Sequence, residues 1–486
     1  MGSSAMSFLL FSGLTKLEAN GQVSLCLADT VCISSDLMCY TFTLKETKFN
    51  DGSDLTAYDF ERSWKEAIHP DFACPCAHNF FPIKNAEKAK KGIVDPNLLG
   101  VEALDEKTLF IELEHPTPYF LELMSFCPFF PVPKHFDPSK KPVSNGPFNL
   151  KRWQKNSSIE LEKNPRYWGQ KHVKLDGIHI SIIEDQDLAL QKYEQNELDL
   201  IGDPLSPLPS NSQSQYIEEK RISPIVGSYF LAFNCNVFPF NNLNIRKAFF
   251  HLIPRDDILN NLSGNHYQKT ISPIPGILYG NENRVEKKCD EKKALLYFQK
   301  GLKELKLKPK NIKLDFLYEC NDISKQIINE VKQRIKDTFQ IEVSFHEMNF
   351  KGISDRLLRK DFEIALTWWV TQYKDPMNFF ERFKYKTISK NFSGWENIEY
   401  ILLLDKAAKM THSQRRMKIL EKAEKVFMDD YPIAPILQFH FSFLQKPHVK
   451  GVTISPVGSI HFDKAFIDQK ALPKKKAQNR ELSLTI

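Results

Sequence analysis

Residues 40–64 leave the chain little choice of local structure. Phe42 and Leu44 alternate with Thr41 and Thr43, the pattern of a strand with one buried face. Asp51-Gly52 then supplies a tight turn, because glycine accepts a positive φ without a Cβ clash. Thr56 stands where a helix N-cap is needed, and Asp59 falls in the first turn, where a carboxylate favours the positive end of a helix. Phe60 and Trp64 lie four residues apart and so share the inward face. The segment therefore reads as a strand, a turn and a capped helix.

The rest of the chain must be divided. Its 486 residues exceed one ordinary hydrophobic core, so two or three domains are expected. An apolar share of 42% beside 26% charged residues fits a folded soluble protein. With 37 Phe against 19 Gly, the cores should be large and aromatic. The net charge of +6 comes largely from solvated lysine-rich stretches such as 88–91 and 474–476. No nucleic-acid module accompanies it, so nucleic acid is not an expected partner. Nine cysteines are dispersed, and the single close pair, Cys74 and Cys76, has a poor spacing for metal or redox chemistry. Free thiols are the simple reading; one disulfide stays open for an exported protein, and the odd count leaves at least one cysteine unpaired within the chain.

No apolar run is long enough to predict a membrane-spanning helix. The apolar stretch 6–11 has neither a basic flank nor a long hydrophobic core, so it makes a poor signal peptide. Gly-rich phosphate loops, HExxH, compact Cys/His clusters and a Gly-x-Ser-x-Gly elbow are all missing from the sequence, so neither enzyme activity nor a cofactor is expected. His251 and His346 read as structural or surface groups.

Further motifs follow in order. Residues 99–113 form an alternating hairpin, with Gly100-Val101 and Thr108-Leu109 on its two arms. Ser144-Asn145-Gly146-Pro147-Phe148 reads as a turn leaving into an extended strand, and is followed by Trp153, then Asn164-Pro165 and Tyr167-Trp168. Tyr229 to Asn234 is an apolar strand, and Arg246-Lys247-Ala248-Phe249 marks a helix that Pro254 should cut short. From residue 291 onward helices and strands alternate: a helix at 324–339 with Ile327, Ile328, Val331 and Ile335 inward, and a strand at 362–369.

Taken together, the 40–64 segment and these motifs resemble the peptide-binding proteins of ATP-driven (ABC) oligopeptide and dipeptide importers, extracellular solute-binding family 5. The resemblance spans about residues 10–465. It implies an α/β, two-lobed periplasmic binding protein-like fold of type II, the large peptide-binding class, with an extra small domain. By that likeness lobe I takes 1–24, 143–234 and 447–469, the small domain 25–142, lobe II 235–446, and a loose basic tail 470–486. The crossings between lobes fall near 234 and 446. The resemblance implies a location in the periplasm or on the outer face of the cytoplasmic membrane, although the export segment and first strand seen in such proteins are not recognisable before residue 10.

The same likeness implies an extended peptide held between lobes by backbone pairing. It implies partner permease and ATPase subunits, and a monomer. In similar proteins an acidic residue shortly after a Trp-ending strand grips the ligand's α-amine. Here the matching stretch runs from Trp369 to Pro376, and the gripping position falls on neutral Gln372, with Asp375 nearby. Asp375 either substitutes for the missing charge or forms the turn before Pro376. Trp368 and Trp369 point to opposite faces of their strand, one to core and one toward ligand. Arg356 and Arg359 are candidate carboxylate partners, although an exposed helix surface accounts for both. Tyr229 and Asn234, with Asn145 and Phe148, are the remaining candidate ligand contacts; packing and turn formation explain the last two as well. The competing reading is a non-transport descendant of the fold, an interaction protein or one that has lost ligand binding.

Overall fold

The computed structural model describes residues 3–74, 76–134, 141–202, 208, 216, 218–262, 267–279, 290–471 and 483–485. His135, most of the Pro- and Ser-rich stretch 202–215 and the basic run 474–476 fall outside them. Two compact units emerge, one of residues 1–223 and 441–486, the other of residues 224–440. The chain passes between them at Ser223/Pro224 and His440/Phe441, upstream of the positions near 234 and 446 expected from the resemblance. The reason is that both passages run through long continuous strands, Lys220–Phe233 and Ile433–Gln445, rather than through loops that composition would mark.

In the first unit the 40–64 segment folds as its residues require. Strand Cys39–Leu44 pairs antiparallel with Thr108–Glu112, setting Tyr40 opposite Ile111 and Phe42 opposite Leu109. All four side chains are buried. Gly52 takes φ +97°, where a side chain would be strained. At the start of helix Ala57–Ala67 the Asp59 carboxylate accepts from the Thr56 backbone N–H at 2.9 Å and from its hydroxyl at 3.1 Å. Trp64 is wholly buried, and its indole N–H donates to the Phe129 carbonyl at 3.0 Å. A second sheet contains Phe148–Gln154, Ser158–Lys163 and Gly177–Ser181, with Ser483–Thr485 parallel to the last. Trp153 stands 65% exposed and Trp168 lies under the Lys45 ammonium at 3.9 Å, so neither belongs to the core. Asn196 adopts φ +60°, a left-handed position that favours glycine and that asparagine also tolerates.

Residues 447–469 are tied into this unit by an ion pair and a hydrogen bond. Lys16 meets Asp463 at 2.7 Å, and His448 meets Asp199 at 3.0 Å with both side chains buried.

The N-terminal helix is Ser3–Leu10. Asn145 explains where it ends. Its side-chain amide donates to the Ser12 carbonyl at 3.0 Å and its oxygen accepts from the Ser12 N–H at 3.2 Å, holding Ser12 out of the helix. Gly146 is likewise not a turn residue. Its N–H donates to the Leu10 carbonyl, and a Cβ there would sit 2.4 Å from the Leu10 carbonyl carbon.

The second unit is a mixed sheet with helices. Strand Ile364–Val370 pairs antiparallel with Lys220–Phe233, and parallel with Lys313–Glu319, which in turn runs parallel to Glu342–Met348. Helix Asp322–Phe339 buries Ile327, Ile328, Val331 and Ile335, as its periodicity predicts. Phe240 packs against Phe233 at 5.0 Å and Phe249 at 5.1 Å, and Phe298 stacks on Phe339 at 4.1 Å. Phenylalanine therefore supplies much of this core. Pro254 separates helix Leu243–Leu252 from Arg255–Asn261.

Candidate functional site

Four of the candidate residues, Trp368, Trp369, Gln372 and Asp375, lie at the exit of strand Ile364–Val370. Alternation decides the two tryptophans. Trp369 is wholly buried, packed edge-on against Phe379 at 5.1 Å. Trp368 lies on the other face and is half-buried; its indole N–H donates to Glu319 Oε2 at 3.1 Å, its ring stacks on Phe350, and Tyr229 is its partner across the strands. Of the pair, Trp368 alone keeps exposed surface.

Beyond the strand, residues 371–376 form a short, heavily bonded loop. The Thr371 N–H donates to the Val226 carbonyl at 2.8 Å, and its hydroxyl donates to the Tyr373 carbonyl. The Gln372 side chain is half-buried, while its backbone N–H donates to Asn378 Oδ1 at 3.3 Å. That same oxygen accepts from the Trp369 indole at 3.3 Å. Asp375 is 4% exposed and takes both Arg416 guanidinium nitrogens, at 2.6 and 2.9 Å, while also accepting from the Met377 N–H. A carboxylate so engaged, buried against a buried arginine, has little capacity left to grip an ammonium. The Tyr373 hydroxyl donates to Glu381 Oε2 at 3.3 Å. Burial pushes the Glu381 carboxyl up to about 7, against the opposing pull of Lys384.

The other candidates are placed differently. Arg356 spends its Nε on Asp361, at 3.0 Å to the carbonyl and 3.1 Å to the carboxylate, and Arg359 is exposed on the same helical turn. Asn234 is buried, with its amide donating to the Lys360 and Phe362 carbonyls at 2.9 and 3.0 Å, so it fastens backbone. Asn145 does the same for Ser12, and Phe148 is core; both belong to the first unit. A cavity of about 30 Å³ in that unit, lined by Ser12, Lys16, Tyr167 and His461 among others, has room for water and none for a peptide.

Sequence reasoning missed Arg416, Asn378 and Glu381. A signal existed for the first: Arg416 shares the buried face of helix Ser413–Asp429 with Leu420, Ala423 and Phe427, and a charge on such a face needs a buried partner. Among the described residues no group of three or more His, Cys, Asp or Glu side chains is placed to hold a metal ion, and no helix is long and apolar enough to cross a membrane.

The profile of the bacterial extracellular solute-binding proteins, family 5, matches residues 22–391, and the chain belongs to that family. It is 33% identical over 473 residues to the oligopeptide-binding protein OppA of Bacillus subtilis, covering 94% of this chain and 87% of that one. To the dipeptide-binding protein DppE of the same organism it is 29% identical, covering 93% and 85%. Among solved structures it resembles the Escherichia coli murein tripeptide binding protein MppA, with a TM-score of 0.86 at 26% identity and coverage of 96% and 94%. The fold is the two-lobed periplasmic binding protein-like fold of the peptide-binding class.

Proposed function

We propose that the 371–376 loop recognises one end of a bound peptide and that Gln372 makes it tolerant of a blocked or absent α-amine. The chain is the substrate-binding component of an ABC peptide importer, working outside the cytoplasmic membrane with permease and ATPase subunits, and it is not an enzyme. What supports the finer reading is the chemistry at one position. Gln372 is neutral, and the nearest carboxylate in the loop, Asp375, is already bonded to Arg416. An ammonium brought to this loop would therefore lose its counter-charge, whereas an amide or acyl group would meet the hydrogen-bonding Gln372 side chain.

The test uses purified full-length protein and a library of short peptides in free-amine and N-acetylated forms, with bound species identified by native mass spectrometry. Both forms should be retained with affinities within about tenfold, and saturating peptide at about a hundred times Kd should stabilise the protein by about 2.7 kcal/mol in thermal unfolding. In Gln372→Asp the free-amine forms should gain about tenfold over the acetylated ones. Retention of no peptide would overturn the reading, and a strong free-amine preference in the unaltered protein would overturn the role of Gln372.

A further inference from the structure

Asn378 lies outside the loop and is not among the candidate ligand contacts. Its side-chain oxygen accepts from two donors that come from different places in the fold, the Trp369 indole and the Gln372 backbone N–H, each at 3.3 Å. Because both partners can only donate, the amide orientation is dictated: oxygen must face them. Trp369 is immobile, wholly buried against Phe379, so the oxygen references the Gln372 backbone to the core. The flanking loop is fastened independently on both sides. Thr371 is held by Val226, Tyr373 by Glu381, and Asp375 by Arg416. Between these anchored neighbours the Gln372 backbone N–H takes the Asn378 oxygen as its acceptor, and that bond sets how this peptide group sits at the strand end.

We infer that Asn378 is a positioning residue for ligand recognition, its carboxamide oxygen fixing where the Gln372 side chain meets the end of a bound peptide. The inference rests on the proposed role of the 371–376 loop. Asn378 does not touch ligand; it acts through Gln372. Two substitutions separate this from mere stabilisation. Asn378→Leu removes the acceptor and frees the Gln372 N–H. Asn378→Asp keeps an acceptor for both donors and brings a negative charge to the Gln372 backbone.

The experiment measures the ratio of free-amine to N-acetylated peptides retained from the same short-peptide library, together with amide hydrogen exchange at Gln372 in the peptide-free protein. In Asn378→Leu, retained peptide should fall about tenfold or more and Gln372 exchange should accelerate, while the amides of Lys313–Glu319 stay protected. In Asn378→Asp, Gln372 protection should persist and the ratio should move about threefold or more toward free-amine peptides. An unaltered ratio in Asn378→Asp, or unaltered Gln372 exchange in Asn378→Leu, would overturn the inference. Should Asn378→Leu fail to fold, the Asn378→Asp ratio decides alone. Peptide retention by the unaltered protein tells the two failures apart: without it the loop reading itself falls, and with it but with no change in either variant only the role of Asn378 does.

Discussion

Trp368 and Trp369 adjoin in sequence yet meet opposite surroundings, and that contrast is a strand's two-residue period at work. Single residues nearby carry the chemistry that sequence alone could not assign. Glu381 is the sharpest case. The groups facing it are Lys384 on its own segment, Tyr373 and Asp375 of the loop, and Arg416 and Tyr400 from the two following helices. Burial raises its carboxyl from the ordinary 4.5 to about 7, so the folded protein holds a proton that the unfolded chain releases between those values. The stability it contributes is therefore complete below pH 4.5 and is lost as pH rises toward 7. Urea unfolding across pH 5–8 should show this decline, on the order of 1–3 kcal/mol, and Glu381→Gln should flatten it. An unchanged slope in that variant would refute the assignment.

At the level of elements, two docking points illustrate how short motifs act at a distance. Asn145-Gly146-Pro147 looks like a hairpin turn, because those residue types populate turns. Its work is to receive the end of helix Ser3–Leu10, with Asn145 on Ser12 and the Gly146 backbone against Leu10. Glycine is needed for closeness: a Cβ would also come within 2.5 Å of the Phe11 nitrogen. Gly146→Ala should therefore force a backbone shift and lower stability by about 1–3 kcal/mol, read as an earlier urea midpoint with an unchanged slope. Helix Ser413–Asp429 plays the corresponding part in the second unit, where Arg416 anchors Asp375 and Glu424 accepts from the Ser272 hydroxyl at 2.5 Å.

For the molecule as a whole, the second unit is one uninterrupted stretch, 224–440, set within a chain whose ends both belong to the first. Its core is contributed by residues between Tyr229 and Leu437. Strands Lys220–Phe233 and Ile433–Gln445 lie next to one another inside its sheet order, so neither can be trimmed away without exposing an edge. A fragment of residues 218–446 should fold by itself, with near-ultraviolet circular dichroism and one cooperative thermal transition. A fragment of 235–430, lacking both strands, should show neither.

What could be read from the residues was local and repetitive. The 40–64 strand, turn and helix and the inward stripe of Asp322–Phe339 follow from short-range sterics and from the periods of helix and strand, which neighbouring residues encode. Family membership was legible for the same reason, since the motifs keep their order along nearly the whole chain. The neutral Gln372 was visible too, as a departure from that pattern. Only the folded chain could decide that Asp375 is spent on Arg416, that Asn234 and Asn145 fasten backbone, and that Asn378 ties a loop to a buried indole. Each of these joins groups separated along the chain or by the geometry of a loop. Whether a carboxylate is free or consumed is set by what tertiary packing brings within 3 Å of it, and no local pattern carries that distance.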